Sequence, residues 1–257
     1  MITVVSPAKK LSSECNAKTN LYHKPQFLEE SEDLIKQLKS LSPLDLESLM
    51  GISEKLAILN WERIQKWNPN FTSKSTREAI YSFKGDTYVG LDAETLSQNE
   101  VDFAQNHLRI LSGLYGILRP LDLMMPYRLE MGTRFENNRG KNLYEYWGEK
   151  LSLHLNNELA NHSEKIIINC ASVEYFKSIN TLNLGAKVIT PVFKEIKMGK
   201  PKIISFFAKK ARGMMARFII QNQINNEVDI LNFKLDGYQY DRNLSTNTEP
   251  VFTRSQS

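Results

Sequence analysis

The sequence predicts an α/β fold: a single domain with a mixed sheet and a helix-rich middle. Three observations carry that expectation: a short β-branched run at 2–5, helical periodicity from 27 to 67, and alternating strand-like and helix-like segments from 165 to 224. A chain of 257 residues is long enough to bury a substantial core, and its 41% hydrophobic and 24% charged content excludes a disordered chain. No internal repeat, low-complexity linker or clean boundary divides it, so residues 1–257 read as one domain.

The β-branched strand at 2–5 stops at Ser6-Pro7, and a polar, loop-like stretch follows as far as Gln26. Leu34, Ile35, Leu38 and Leu41 then recur at helical spacing. Ser42-Pro43 reads as an N-cap with proline at the first helical position. Ser53 caps a further helix whose apolar side is marked by Leu56, Leu59, Ile64 and Trp67. Residues 81–91 read as irregular or extended around Lys84-Gly85-Asp86. Asn99 reads as the cap of a helix running through Phe103, Leu108 and Leu111 to a glycine hairpin. One long helix is expected from Leu143 to about Leu159, with Leu143, Trp147, Leu151 and Leu155 at four-residue steps. Residues 165–169, 186–193 and 202–207 read as strands, 172–179 as a short helix, and 208–224 as a longer one. The polar tail, 241–257, reads as flexible apart from a contact through Val251 and Phe252.

The formal net charge of +4 and pI near 8.9 are compatible with a polyanion partner but far from a histone-like signal. The two cysteines, Cys15 and Cys170, form no CxxC pair, which argues against a disulfide scaffold or a cysteine zinc site. His23, His107, His154 and His162 show no HExxH spacing, and no metal site is expected. GxGxxG, Walker A and GxSxG are all absent, so no cofactor is implied. With no signal-peptide pattern and no membrane-length run, the chain reads as a soluble protein of a reducing cytoplasm.

Six segments could carry chemistry or binding. Residues 111–122 end a helix-like run on Gly113 and Gly116, then turn at Arg119-Pro120. Glycine permits close approach, so such a hairpin beside an arginine can hold a phosphate; it can equally be a silent turn. In residues 208–218, Lys209, Lys210, Arg212 and Arg217 fall within about 160° of a helix circumference, opposite Ala211, Met214, Met215 and Phe218. This face either contacts phosphates or is simply solvated. Ser6-Pro7-Ala8-Lys9-Lys10 follows a buried strand, a frequent place for a binding loop. Arg128 and Glu130 share one side of an extended chain and can pair, as a site or as a structural ion pair. Lys84-Gly85-Asp86 and Ser172-Val173-Glu174-Tyr175 are similar polar clusters.

Taken in order, Ser6-Pro7-Ala8-Lys9, Phe83-Lys84-Gly85-Asp86, the run from His107 to Gly116, Leu118-Arg119-Pro120-Leu121-Asp122, Pro126-Tyr127-Arg128-Leu129-Glu130-Met131-Gly132, Glu174-Tyr175-Phe176-Lys177 and the run from Ile204 to Gly213 resemble the YaaA family of peroxide-stress proteins. The resemblance implies a cytoplasmic bacterial protein that limits free iron and oxidative damage during hydrogen peroxide stress. It also implies a helix-hairpin-helix-like element and a basic cleft suited to duplex DNA. Residues 112–116 match that hairpin, although their glycines are three apart rather than two and Pro120 interrupts any following helix.

Three functions remain open at this point, the third being an interaction protein without catalysis that acts on iron regulation through a protein partner. The first is double-stranded DNA binding without strong sequence preference, through Lys9, Lys10, Gly113, Tyr115, Gly116, Arg119, Lys209, Lys210, Arg212 and Arg217. The alternative is an enzyme acting on a nucleobase, nucleotide or other small anionic metabolite. It would use a pocket made of Ser6, Lys9, Asp86, Arg128, Glu130 and Glu174.

Overall fold

All four residues of β1 (Ile2–Val5) are buried, as a strand covered on both faces must be. The structure, a computed structural model, describes residues 1–12, 23–70, 72 and 75–255. A short β2 (Lys10–Leu11) follows, and most of the loop expected before Gln26 lies outside the described residues, Cys15 included. The helical stretch is then α1 (Leu28–Leu38), α2 (Pro43–Met50) and α3 (Glu54–Lys66). Ser42 caps α2 reciprocally with Asp45, as Ser-Pro predicts. On α3 the buried residues are Ala57, Asn60 and Ile64, whereas Leu56 and Leu59 are about 40% exposed. Ile64 and Trp67 are buried as expected, but in the first turns Ala57 and Asn60 take the inner side in place of Leu56 and Leu59.

The segment expected to be irregular is ordered: β3 (Arg77–Glu78), one turn of α4 (Ala79–Ser82), β4 (Phe83–Lys84) and α5 (Asp86–Leu91). The next helix, α6 (Gln98–His107), is capped by Ser97 rather than Asn99, because Ser97 and Glu100 form a reciprocal box. It ends at His107. Residues expected to continue it form β5 (Leu108–Ser112), which turns into β6 (Gly116–Leu118) and is followed by β7 (Leu123–Met124). A fully buried five-residue run carries no periodicity that separates strand from helix, and pairing with β1 decides.

The expected long helix is broken into α7 (Leu143–Trp147) and α8 (Lys150–Leu159) at Gly148, whose φ of +49° no helix accepts. Then come β8 (Ile166–Cys170), α9 (Val173–Phe176), β9 (Lys187–Ile189), β10 (Val192–Lys197) and β11 (Lys200–Lys202). Ser205 already belongs to α10 (Ser205–Gln221), so the second half of the strand expected at 202–207 is helix. The tail is not loose. β12 (Gln239–Asp241) and β13 (Val251–Ser255) join β10, with Phe252 fully buried among Phe193, Phe233 and Tyr240.

The main sheet is mixed, in the order β6-β5-β1-β8-β9, with only the β5–β6 pair antiparallel. The second sheet runs β11-β10-β13-β12. The α10 helix packs on β1 and β8 and lies close against α5. At that crossing a Cβ on Gly213 would stand 1.8 Å from the Thr87 carbonyl oxygen, and one on Gly90 2.0 Å from that of Lys210. Backbone meets backbone, which only glycine permits.

Candidate functional site

The chain leaves β1 in two directions, first to β5 on one side and later to β8 on the other. That arrangement opens a crevice beyond the carboxyl ends of β1 and β8, the usual ligand position in an open α/β sheet. Ser6 follows β1 and Ser172 follows β8. The Ser6 hydroxyl accepts from the Ser172 backbone N–H at 2.8 Å and donates to the Ser172 hydroxyl at 3.2 Å. Ser172 also caps α9, and the Tyr88 hydroxyl, from α5, donates to the Ser6 carbonyl at 3.1 Å. The two strand ends are thereby locked together.

The segment around 127–132 closes the crevice. Glu130 is shared by two cations, Arg128 at 3.0 Å and Lys9 at 3.4 Å. Arg128 and Glu130 are nearly buried, with 15% and 14% of their side chains exposed, while Lys9 is 70% exposed. Glu174 accepts from the Gly132 backbone N–H at 3.0 Å. A Cβ on Gly132 would crowd that carboxylate at 3.1 Å, so the glycine makes the approach possible. Tyr127 and Tyr175 line the inner recess beside Lys9 and Glu130, and burial raises both phenols, so they stay neutral donors. Outside it, a cleft of about 680 Å³ extends from Lys9, Glu130 and Glu174 to Arg134 and the Ser48-to-Gly51 end of α2. Asp86 opens α5 at the same end of the sheet, and the preceding Gly85 rests on Ala8, but Asp86 stays outside this ion-pair chain. Lys9, Arg128 and Glu130 thus meet, Glu174 joins Lys9 and Glu130 along the cleft, and Ser6 sits at the adjoining strand end against Ser172. Such a site can hold a small anion between cations and hydroxyls, with two carboxylates at hand for proton transfer.

A second cavity, of about 730 Å³, lies at the opposite ends of the strands beside His107, Arg109, Arg119 and His162. Its charges are already engaged. Glu158 takes Arg109 in a two-pronged pair at 2.7 and 2.8 Å. Asp122 binds Arg119 at 2.9 Å.

The residues expected to touch DNA are dispersed. The segment 112–116 is no helix-hairpin-helix; it is the turn of the β5–β6 hairpin, and it is buried. Gly113 abuts the Leu129 backbone, and Gly116, at φ +66°, lies against Trp147 and Leu151. The Tyr115 N–H is spent on the Ser112 hydroxyl, and its own hydroxyl accepts from Trp67 Nε1 at 2.9 Å. A phosphate cannot reach these amides. On α10, Lys210 pairs with Asp236 at 3.2 Å, and Arg217 caps α5 through the carbonyls of Leu91 and Asp92. Arg212 turns inward to the Ala171 carbonyl. Lys9, Lys10 and Lys209 are exposed. The sequence marks Ser172 and Tyr175 only as part of a polar cluster and leaves them, with Tyr127, outside the candidate pocket; the strand-end position of Ser172 was the available signal.

Fold and site define an α/β protein with a mixed-charge crevice at the switch point of its main sheet. The chain belongs to the family described as peroxide stress protein YaaA, whose model matches residues 1–244. It is 50% identical over 256 residues to a UPF0246 protein of Aliivibrio fischeri (strain ATCC 700601 / ES114), covering 100% of this chain and 99% of the relative. It is 51% identical over 254 residues to a UPF0246 protein of Shewanella sp. (strain W3-18-1), covering 99% of each. Its place is therefore in a peroxide-stress family. Among the described residues no helix is long and apolar enough to cross a membrane.

Proposed function

We propose that this peroxide-stress protein works through the crevice at the ends of β1 and β8, binding and acting on a small anionic metabolite of the nucleobase or nucleotide class. One observation carries the reading: Lys9, from the loop after β1, meets Arg128 and Glu130 in one recess, and Lys9 and Glu130 also line the adjoining cleft together with Glu174. Lys9 and Arg128 would hold the anion, and displacement of either from Glu130 would free that carboxylate for proton transfer. The test is a thermal-shift panel of nucleobases, nucleosides and nucleotides on the wild-type chain, Glu130→Gln and Lys9→Ala. A saturable rise in Tm for some member, lost in both variants, is expected. No rise with any member, or an equal rise in both variants, overturns the reading.

A second reading, binding of double-stranded DNA that helps limit free iron and oxidative DNA damage, is favoured by the exposed Lys9, Lys10 and Lys209. Three lysine–phosphate contacts imply a slope of log affinity against log salt of about −2.7. Fluorescence anisotropy on a duplex across a salt series measures it. Binding insensitive to salt, or a slope unchanged when all three lysines become alanine, removes this reading.

A further inference from the structure

We infer that Arg212 is the anion anchor of the crevice, receiving the phosphate or carboxylate end of the ligand beside Ser6 and Ser172. The inference rests on the crevice being the working site. Arg212 is half-buried on α10, and its Nη1 donates to the Ala171 carbonyl at 2.9 Å. Ala171 immediately precedes Ser172, whose N–H holds the Ser6 hydroxyl. The guanidinium therefore stands at the end of β8, where the crevice begins.

Its surroundings leave it uncompensated. Its Nε is buried and has no hydrogen-bond partner among the described residues, and no carboxylate among them pairs with it. Of the neighbouring cations, Lys9 and Arg128 are paired with Glu130, Lys210 with Asp236, and Arg217 with Asp92 and the carbonyls ending α5, while Lys209 is exposed to solvent. The titratable group that Arg212 does feel is Cys170, whose thiol burial pushes up to about 12, so it remains neutral and supplies no counter-charge. Burial correspondingly lowers the Arg212 pKa. A guanidinium desolvated without a counter-ion costs folding free energy, and an arriving oxyanion would supply what is missing.

The geometry around it is prepared for that role. Gly213 lets the α10 backbone pack directly on Thr87 of α5, which sets how closely the helix carrying Arg212 approaches the sheet end. The Ser172 hydroxyl accepts from Ser6 and from the Tyr175 N–H, and among the described residues its own proton has no acceptor. A planar guanidinium with one free edge, next to a hydroxyl with a free proton, suits a tetrahedral or planar oxyanion.

The test titrates the full chain with inorganic phosphate and, separately, with acetate at constant ionic strength, followed by calorimetry. Saturable binding of at least one is expected, the stronger arm telling a phosphorylated from a carboxylate ligand. Arg212→Met should weaken it by about 10- to 100-fold, as loss of a charge-assisted bond requires. Arg212→Lys should recover part of the loss, and Lys66→Ala should leave affinity unchanged. Arg212→Met should also melt no lower than the wild-type chain, which a merely structural arginine would not do. If Arg212→Met fails to fold, Ser172→Ala serves, with several-fold weaker binding expected. Absence of saturable binding in the wild-type chain, or equal affinity in Arg212→Met, overturns the anchor. Nucleotide binding lost in Glu130→Gln but untouched by Arg212→Met keeps the crevice and overturns the anchor. Oxyanion binding lost in Arg212→Met while no panel member binds keeps the anchor and overturns the metabolite class.

Discussion

Replacing Gly213 by alanine tests whether α10 is seated on α5 by direct backbone contact. The new Cβ would stand 1.8 Å from the Thr87 carbonyl oxygen, 2.7 Å from its carbon and 2.9 Å from the Leu91 nitrogen. Ordinary contact begins near 3.4 Å, so the helices must part by about 1.6 Å (3.4 − 1.8), and backbone atoms cannot rotate aside as a side chain can. A gap of that width forfeits much of the dispersion energy along Tyr88, Leu91, Met214 and Met215. Alanine's helix preference returns about 1 kcal/mol, and overpacking of this severity costs more than its usual 1–3 kcal/mol. The net expectation is a loss of about 2–3 kcal/mol, or roughly 5–10 °C in Tm for a chain of this size. Thermal and urea unfolding followed by circular dichroism measure it. A Gly213→Ala variant as stable as the wild-type chain, or more so, would refute the packing argument and with it the fixed position of Arg212.

Three further outcomes follow from buried groups. Arg109→Met should cost about 3–5 kcal/mol in urea unfolding at pH 7, because it strands the Glu158 carboxylate in a nearly buried position. Burial alone would raise Glu158, but His154 and Arg109 override it and hold the carboxyl at about 2 against an ordinary 4.5. Its folded pKa is depressed, so the pair contributes about 3 kcal/mol above pH 4.5, lost as pH falls toward 2. Arg109→Met should flatten that part of the pH profile, and an unchanged profile would contradict the assignment. In a Cys15→Ser background, native Cys170 should resist a thiol reagent at pH 8 and react only on unfolding, since it is 1% exposed and pushed up to about 12. Phe252→Ala should cost about 3–5 kcal/mol, whereas a flexible tail would cost nothing.

The parts of the fold legible in the sequence are those where one local signal suffices. Ile2–Val5 declares itself by β-branching, and Ser42-Pro43 declares the start of α2 by its capping chemistry. What misled was information held elsewhere in the chain. Leu108–Ser112 is a strand because β1 waits beside it, and Gly148 breaks a helix that four-residue spacing alone would continue. The tail 241–257 is polar enough to read as flexible beyond a contact through Val251 and Phe252, yet all of Val251–Ser255 pairs with β10, and β12 joins its other side.

The site follows the same logic one level up. Arg128 and Glu130 were readable as a pair because two-residue spacing is local. Arg212 was not. A helical wheel places it with Lys209, Lys210 and Arg217, but it says only which way a side chain leaves the helix, not what it meets. Lys210 meets Asp236, Arg217 meets the end of α5, and Arg212 meets the end of β8. Four cations that look equivalent on the wheel therefore differ in the one property that decides function, the presence of a counter-charge. Lys210 and Arg217 thus have their work in the fold. Arg212 is the half-buried one of the four without a counter-charge; it stands at the end of β8 by Ser172, and its missing counter-charge is best understood as the ligand's.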